Sequence, residues 1–363
     1  MTVFYLAPVA NSPKGGVRTI YQHVDALNAA GIEAAVVHSR SGFRCTWFRN
    51  ETRVVSPPLG LRASEDVLVI PEAVSMSRIA CLCPGIKKVI FNQNVYRTFS
   101  PTTSRDNRPL SLESQQDVVG MLTVSKDSER YLRHAFPSAR VELIRHHIDA
   151  SVFHPDPTAR AAQIAVMPRK RLEDFEQLRA ILALRGVLRK WDLFVLKGMT
   201  EVEVARTLQH SALFVSMSRR EGFGLPPAEA IACGCHVIGF HGQGGQEFFV
   251  EPYAEPIDDG DIIGLAAAVE TFVTTYDENR SRWEWVAGEG SRWILSQYSA
   301  EHQTADLVAC FTGILEQCVP TSARTGELRT RQLARLLPRS SRVEKTVRHV
   351  QRTIRRVRQR FLR

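Results

Sequence analysis

The stretch Ser218 to Glu247, SRREGFGLPPAEAIACGCHVIGFHGQGGQE, decides the fold. An apolar run, Leu213-Phe214-Val215-Ser216-Met217, stands just before it and reads as a buried strand. Gly222 and Gly224, then Pro226 and Pro227, predict a tight turn that opens a helix, because proline fits the first helical turn, where its missing N–H costs nothing. Gly234 is a natural stop for that helix. Cys235 to Phe240 reads as a second buried strand, followed by a turn with Gly242, Gly244 and Gly245. A helix N-terminus with bare backbone N–H groups is a ready anion site. Glu221 lies in the loop and Glu229 about two turns into the helix. Amides for anions beside carboxylates for hydroxyls describe a nucleotide-sugar pocket.

Glu221, Gly222, Phe223, Gly224, Leu225, Pro226, Glu229, Ala232, Cys233, Gly234, Val237 and Ile238 match, in one run, the donor-binding motif of the retaining glycosyltransferases of family 4 (glycosyl transferases group 1). The resemblance implies an α/β chain of GT-B fold, two Rossmann-like doubly wound parallel-sheet domains facing a central cleft. On this reading residues 1–150 form the acceptor-side domain and 151–298 the nucleotide-sugar domain. Residues 299–320 form a helix crossing back to the first domain, and 321–363 a basic amphipathic tail.

The first half alternates strand and helix, as a doubly wound sheet requires. Strands are predicted at Val3–Leu6, Ala34–Val37, Val67–Ile70, Lys88–Phe91, Gly120–Val124 and Arg140–Ile144. Val17, Ile20, Tyr21, Val24 and Leu27 follow helical spacing, and Gly31 ends that run. In such sheets the ligand sits at the carboxyl ends of the strands. Lys14, Gly15 and Gly16 stand at that end of the first strand and resemble the family's Gly-Gly loop, which faces the donor diphosphate and the acceptor. Gln93 and Asn94 end another strand and read as acceptor-side hydrogen-bonding groups. Many relatives carry a His near there; this chain does not.

Ile144 to Pro155, IRHHIDASVFHP, resembles the family's interdomain stretch through Ile148, Asp149, Phe153 and Pro155. His146 and His147 replace the usual Asn-Gly. Beyond it, Ile164–Met167 reads as a strand ending in Arg169, Lys170 and Arg171. Cations at the carboxyl end of a strand suit a diphosphate, and three in a row leave open which one reaches it. Lys197 and Gly198 close the strand Asp192–Leu196 and resemble the loop that lines the base. Only 29 positions separate Arg169 from Gly198, which implies a lost strand–helix unit. Asp258, Asp259 and Asp261 superficially offer a metal motif, but acids ahead of the run Ile262–Phe272 read better as a helix cap. Trp293–Leu315 reads as one further amphipathic helical region.

The chain has 363 residues, enough for two domains, and no apolar run approaching the ~20 residues of a membrane span. The N-terminus lacks the basic residues of a secretory signal, and the odd count of seven cysteines has no zinc-like spacing, so buried thiols in a cytoplasmic setting are expected. From Thr321 to Arg363 there are fourteen Lys/Arg and two Glu, a net of +12. The whole chain carries +9, which leaves residues 1–320 at −3. Val343, Val347, Val350, Ile354, Val357 and Phe361 form one helical stripe within the basic segment. An amphipathic helix lying on an anionic inner-membrane surface and a short coiled coil that makes a homodimer both fit this pattern. Nucleic acid is not an expected partner, since a single aromatic residue, Phe361, stands among the charges.

The resemblance implies transfer of a sugar from a nucleotide diphosphate sugar to a glycan, lipid-linked or small-molecule acceptor, with retention and without a metal or a resident cofactor. Glu221, Arg169 and Lys170 would be catalytic. Gly15, Gly16, Lys197, Gly198, Gly222, Phe223, Gly224, Leu225 and Glu229 would bind the donor, with Glu229 on the ribose. Lys14, Gln93 and Asn94 would face the acceptor. The competing readings are a non-catalytic nucleotide-sugar or glycan-binding protein on this scaffold and a sugar-nucleotide epimerase.

Overall fold

The computed structural model describes residues 2–12, 15–63, 65–72, 74, 79, 82–99, 117–156, 160–316, 325–329 and 331–333. The first part of the chain contributes β1 (Val3–Leu6), α1 (Gly15–Ala29), β2 (Ala34–Val37), β3 (Val54–Val55), β4 (Leu59–Arg62), β5 (Val67–Pro71), β6 (Lys87–Asn92), the one-turn α2 (Val95–Thr98), β7 (Val118–Thr123), α3 (Lys126–Ala135) and β8 (Val141–Leu143). All of these strands except β4 form a seven-stranded parallel sheet in the order β3-β2-β1-β5-β6-β7-β8. The central strands are buried on both faces, so VFYL, AAVV and VLVIP are continuous apolar runs rather than alternating ones. The apolar stripe of α1 is buried as its spacing predicts, and Gly31 follows in the left-handed region at φ 80°.

The second part begins with β9 (Ala161–Val166), then α4 (Leu172–Leu184), β10 (Asp192–Val195), α5 (Glu201–His210), β11 (Ser211–Met217), α6 (Leu225–Ala232), β12 (His236–Phe240), β13 (Ala254–Pro256), α7 (Ile262–Glu278), α8 (Arg280–Gln297) and α9 (Ala300–Glu316). Its five strands are parallel, in the order β10-β9-β11-β12-β13. The helical region expected from Trp293 to Leu315 is two helices, broken at Tyr298-Ser299. Tyr298 faces inward, and its carbonyl accepts from the Ile148 N–H at 2.9 Å, so the break docks onto the hinge. Helix α9 packs on α1, with Phe311 edge-on to Tyr5, and Arg145 makes a fork to Asp306 at 2.7 and 2.8 Å.

Each sheet has one point where the strand order reverses. In the first it lies between β1 and β5, in the second between β9 and β11. In open α/β sheets the crevice outside the carboxyl ends of the strands at this point is where ligands bind.

One element corrects the reading of the C-terminal segment. Residues expected to begin a basic tail at 321 include β14 (Thr325–Leu328), which pairs antiparallel with β4 of the first domain. Leu328 and Leu333 are fully buried there, in the core that also holds Leu61, Leu82 and Ile86. The amphipathic stripe from Val343 to Phe361, and with it the homodimer and membrane readings, lies outside the described residues.

Candidate functional site

The carboxyl ends of β9 and β11 frame a crevice lined by Met167, Arg169, Lys170, Ser218, Glu221 and Pro226. The Lys170 ammonium meets the Glu221 carboxylate at 2.7 Å, and the Arg169 guanidinium stands 4.0 Å from the same oxygen. Lys170 also donates to the carbonyls of Arg219 and Arg220 at 3.1 and 3.3 Å, so it is fixed to the loop that carries Glu221. Burial holds the Lys170 ammonium below its ordinary pKa, an effect that the Glu221 carboxylate partly offsets. Arg169 remains mostly exposed and free to turn.

The third cation is used differently. Arg171 is buried, pairs with Asp174 and Asp259, donates to the Ser218 carbonyl at 3.3 Å and lies over the Phe240 ring at 4.6 Å. It ties the start of α4 to the ends of β11 and β12. Asp259 is therefore its partner, and Asp261 caps α7 through the Gly264 N–H at 2.8 Å.

The Glu221 loop is held in a defined shape. Arg220 and Gln243 adopt left-handed backbone, at φ 47° and 71°, and flank the bridge between Glu221 and Gln243. For non-glycine residues this conformation costs roughly 1–2 kcal/mol each. Gly224 caps α6 at φ 99°, which only glycine adopts freely. Because Pro226 and Pro227 follow at once, the start of α6 offers fewer N–H donors than an ordinary helix. Leu225 and the loop residues Phe223 and Gly224 carry those that remain. The Phe223 ring does not face the crevice. It packs among His146, Phe248 and Tyr298, with centroids 4.7 to 4.9 Å away, and anchors the loop to the hinge.

Across the cleft, Gly15 and Gly16 begin α1; Gly15 presses on Leu225 of the second domain, and Gly16 on Gln93 of its own domain. A Cβ on Gly15 would stand 2.7 Å from Leu225, and one on Gly16 2.8 Å from Gln93 Oε1. Gly222 lies so close to the first domain that its Cβ would meet the Gln93 carbonyl oxygen at 1.8 Å. Asn94 donates to the Arg220 carbonyl at 3.1 Å and caps α2. Lys14 lies outside the described residues. Lys197 and Gly198 sit on an exposed loop ahead of α5, apart from the Lys170–Glu221 contact.

Three cleft residues escape sequence reasoning. Arg18 reaches from α1 across the cleft to both Glu229 and Glu201. It falls outside the apolar stripe that identifies α1, and its only signal is its place two residues after Gly16. Glu247 accepts from the Lys126 N–H at 2.7 Å and from the Tyr298 hydroxyl at 2.8 Å, joining the Gly244-Gly245 turn to the start of α3. Burial raises its carboxyl above the usual range. Glu72, at the end of β5, is likewise pushed up by burial and lies 3.4 Å from the Gln93 N–H.

Residues 176–285 match the family described as glycosyl transferases group 1. An alpha-1,6-glucosyltransferase of Actinobacillus pleuropneumoniae serotype 7 is 26% identical over 208 residues, which cover 56% of this chain and 60% of that protein. The chain thus spans about three fifths of that relative's length. Among solved structures, sucrose-phosphate synthase from Thermosynechococcus elongatus superposes with a TM-score of 0.65 at 14% identity, over 87% of this chain and 100% of the other. Anabaena HepE in complex with UDP-glucose superposes with a TM-score of 0.62 at 13% identity, over 86% and 100%. No helix among the described residues is long and apolar enough to cross a membrane. The chain carries a glycosyl transferases group 1 domain within a GT-B fold of two Rossmann-like domains.

Proposed function

We propose that this protein transfers a sugar from a nucleotide diphosphate sugar to an acceptor hydroxyl, with retention at the anomeric carbon and without a metal ion. The observation that carries the reading is the Lys170–Glu221 contact with Arg169 beside it, at the switch point of the second sheet. A bound diphosphate would take over Lys170 and Arg169. Glu221, released from Lys170, would hold hydroxyls of the donor sugar and position its C1. The Leu225 N–H at the start of α6 would add to the positive potential. As the bond from C1 to the diphosphate oxygen breaks, charge grows on the β-phosphate, and donors already aimed there lower the barrier. The acceptor oxygen forms its bond to C1 on the same face, and its proton passes to the departing diphosphate. Such a route needs no protein nucleophile. Glu229 would accept from the ribose hydroxyls.

The names of two similar proteins, one a glucosyltransferase and one solved with UDP-glucose, make UDP-glucose the first donor to test. The acceptor belongs to the glycan, lipid-linked or small-molecule classes. The basic segment beyond residue 333 would bring the first domain to an anionic membrane surface. The test is release of nucleoside diphosphate from a panel of UDP-, GDP- and ADP-sugars in excess chelator, with the anomeric configuration of the product read by NMR. Lys170→Met should lower turnover by ~100-fold or more, the usual cost of one oxyanion-stabilising donor. Binding without turnover would leave a non-catalytic sugar-nucleotide binder; activity that needed an added divalent ion would end the metal-free mechanism.

A further inference from the structure

Arg18 stands on the first domain but works on the second. Its Nη1 meets Glu201, the first residue of α5, and its Nη2 meets Oε1 of Glu229 on α6. The three side chains are only 11, 15 and 9% exposed. Two carboxylates held this close in a poorly solvated cleft repel each other, and one planar guanidinium can satisfy both. Buried ion clusters of this kind add little net stability compared with apolar packing, so stability alone does not explain the triad. The elements it joins point elsewhere. Glu201 follows directly on the Lys197–Thr200 loop, Glu229 is the carboxylate assigned above to the ribose, and Arg18 comes two residues after Gly16. The Arg18 Nε is also buried without a hydrogen-bond partner among the described residues, a donor left for a ligand oxygen.

We propose that Arg18 is a positioning residue for the nucleotide: from across the cleft it sets the Glu229 carboxylate, so that a complete ribose site exists only when the two domains are closed. This rests on the donor-site reading above. Glu229 is bound through one oxygen, which leaves the other to accept from a ribose hydroxyl while Arg18 stays in place. Glu201 keeps the guanidinium from following the ligand. Nucleotide affinity therefore contains the free energy of closing the domains.

The experiment compares the full chain with Arg18→Met and Arg18→Lys, using UDP, GDP and ADP as probes by isothermal titration and small-angle scattering on the free proteins. Arg18→Met should weaken whichever nucleotide binds by about 30-fold or more, as expected when one partner of a buried, hydrogen-bonded charge pair is removed. Arg18→Lys, which keeps one charge and loses the fork, should fall between the wild type and Arg18→Met, and it carries the test if the methionine variant does not fold. The free Arg18→Met protein should have a larger radius of gyration than the wild type. Unchanged affinity, or a loss without partial rescue by lysine, would overturn the proposal. If the wild type binds none of the three nucleotides, the donor-site reading fails, and the scattering still judges Arg18: an unchanged radius overturns the contact across the cleft.

Discussion

The two domains meet the cleft with faces built in different ways. The second domain's face comes from two neighbouring strand ends and one loop, and its own residues brace it: Arg171 beneath the strand ends, Lys170 on the Arg219 and Arg220 carbonyls, Phe223 in an aromatic cluster. The first domain's face collects Gly15, Gly16, Arg18, Gln93, Asn94 and Ser128 from separate segments, and much of what steadies it lies across the cleft. A self-braced face tolerates opening; a face braced by its partner does not. The second domain's face should therefore survive perturbations that disable the first domain's.

Acid should separate the two most strongly. His23 and His146 are held neutral by burial, with pKa values pushed down to about 3, and His38 to about 4; all three belong to the first domain or its hinge. In the second domain burial lowers His236 to about 4 and also lowers the half-buried His241. Unfolded, each histidine takes up a proton near pH 6.5, while the folded chain resists until pH 3 to 4. Stability is thus fully present above pH 6.5 and is lost as pH falls toward 4. At pH 5 each group with a pKa of about 3 to 4 costs about 2 kcal/mol, and three of those four lie in the first domain or its hinge, so the first domain should lose more than the second. Hydrogen exchange at pH 7.5 and pH 5 resolves the domains. Uniform loss of protection across both sheets would break the contrast.

The next effect is a truncation. Ending the chain at residue 319 removes β14 and the buried side chains of Leu328 and Leu333. At about 1.5–3 kcal/mol for each buried leucine, the first domain should lose on the order of 3–6 kcal/mol. A chain ending at residue 334 keeps both leucines and serves as the comparison. Thermal unfolding of both proteins decides this, and equal melting temperatures would return residues 325–333 to the status of a detachable tail.

The same contrast explains what could be read from the sequence. The Glu221 loop was legible because it is local: strand, glycine turn, proline-opened helix and the Glu221–Glu229 spacing lie within thirty residues. Most strands of both sheets were legible because parallel strands buried on two faces are apolar runs. Arg18 was not, since nothing in GGVR says that its partners lie at 201 and 229. Nor was β14, whose sequence Thr325-Gly326-Glu327-Leu328 has no strand signal of its own and pairs only because β4 offers an edge. The break between α8 and α9 was read as a boundary at 298/299 but not as the end of a helix, because each side is amphipathic; the buried positions Ile294 and Tyr298 are out of step with Gln303 and Leu307 beyond it. The separate fates of Arg169, Lys170 and Arg171 were also hidden, because adjacent side chains diverge according to what packs beneath them.

The smallest perturbation tests the closed cleft most finely, one methyl group at a time. At Gly222 an added Cβ would meet backbone of the other domain: the Gln93 carbonyl oxygen at 1.8 Å, its carbon at 2.7 Å and the Asn94 Cα at 3.0 Å. Backbone cannot rotate away, so Gly222→Ala forces the two faces apart. At Gly16 the added Cβ would meet the Gln93 amide, 2.8 Å from its oxygen, which is the free end of a flexible side chain. That clash is relieved by one rotamer change, and the Gln93 Oε1 has no hydrogen bond to lose. Overpacking that cannot relax costs ~1–3 kcal/mol, which predicts nucleotide affinity lower by about 5- to 150-fold for Gly222→Ala. Gly16→Ala should stay within about threefold. Both proteins should melt close to the wild type, because the Gly222 clash lies between the domains and the Gly16 clash, inside the first, is relieved by a side chain. Equal affinities for the two variants would mean that closing the cleft on Gln93 plays no part in binding the nucleotide.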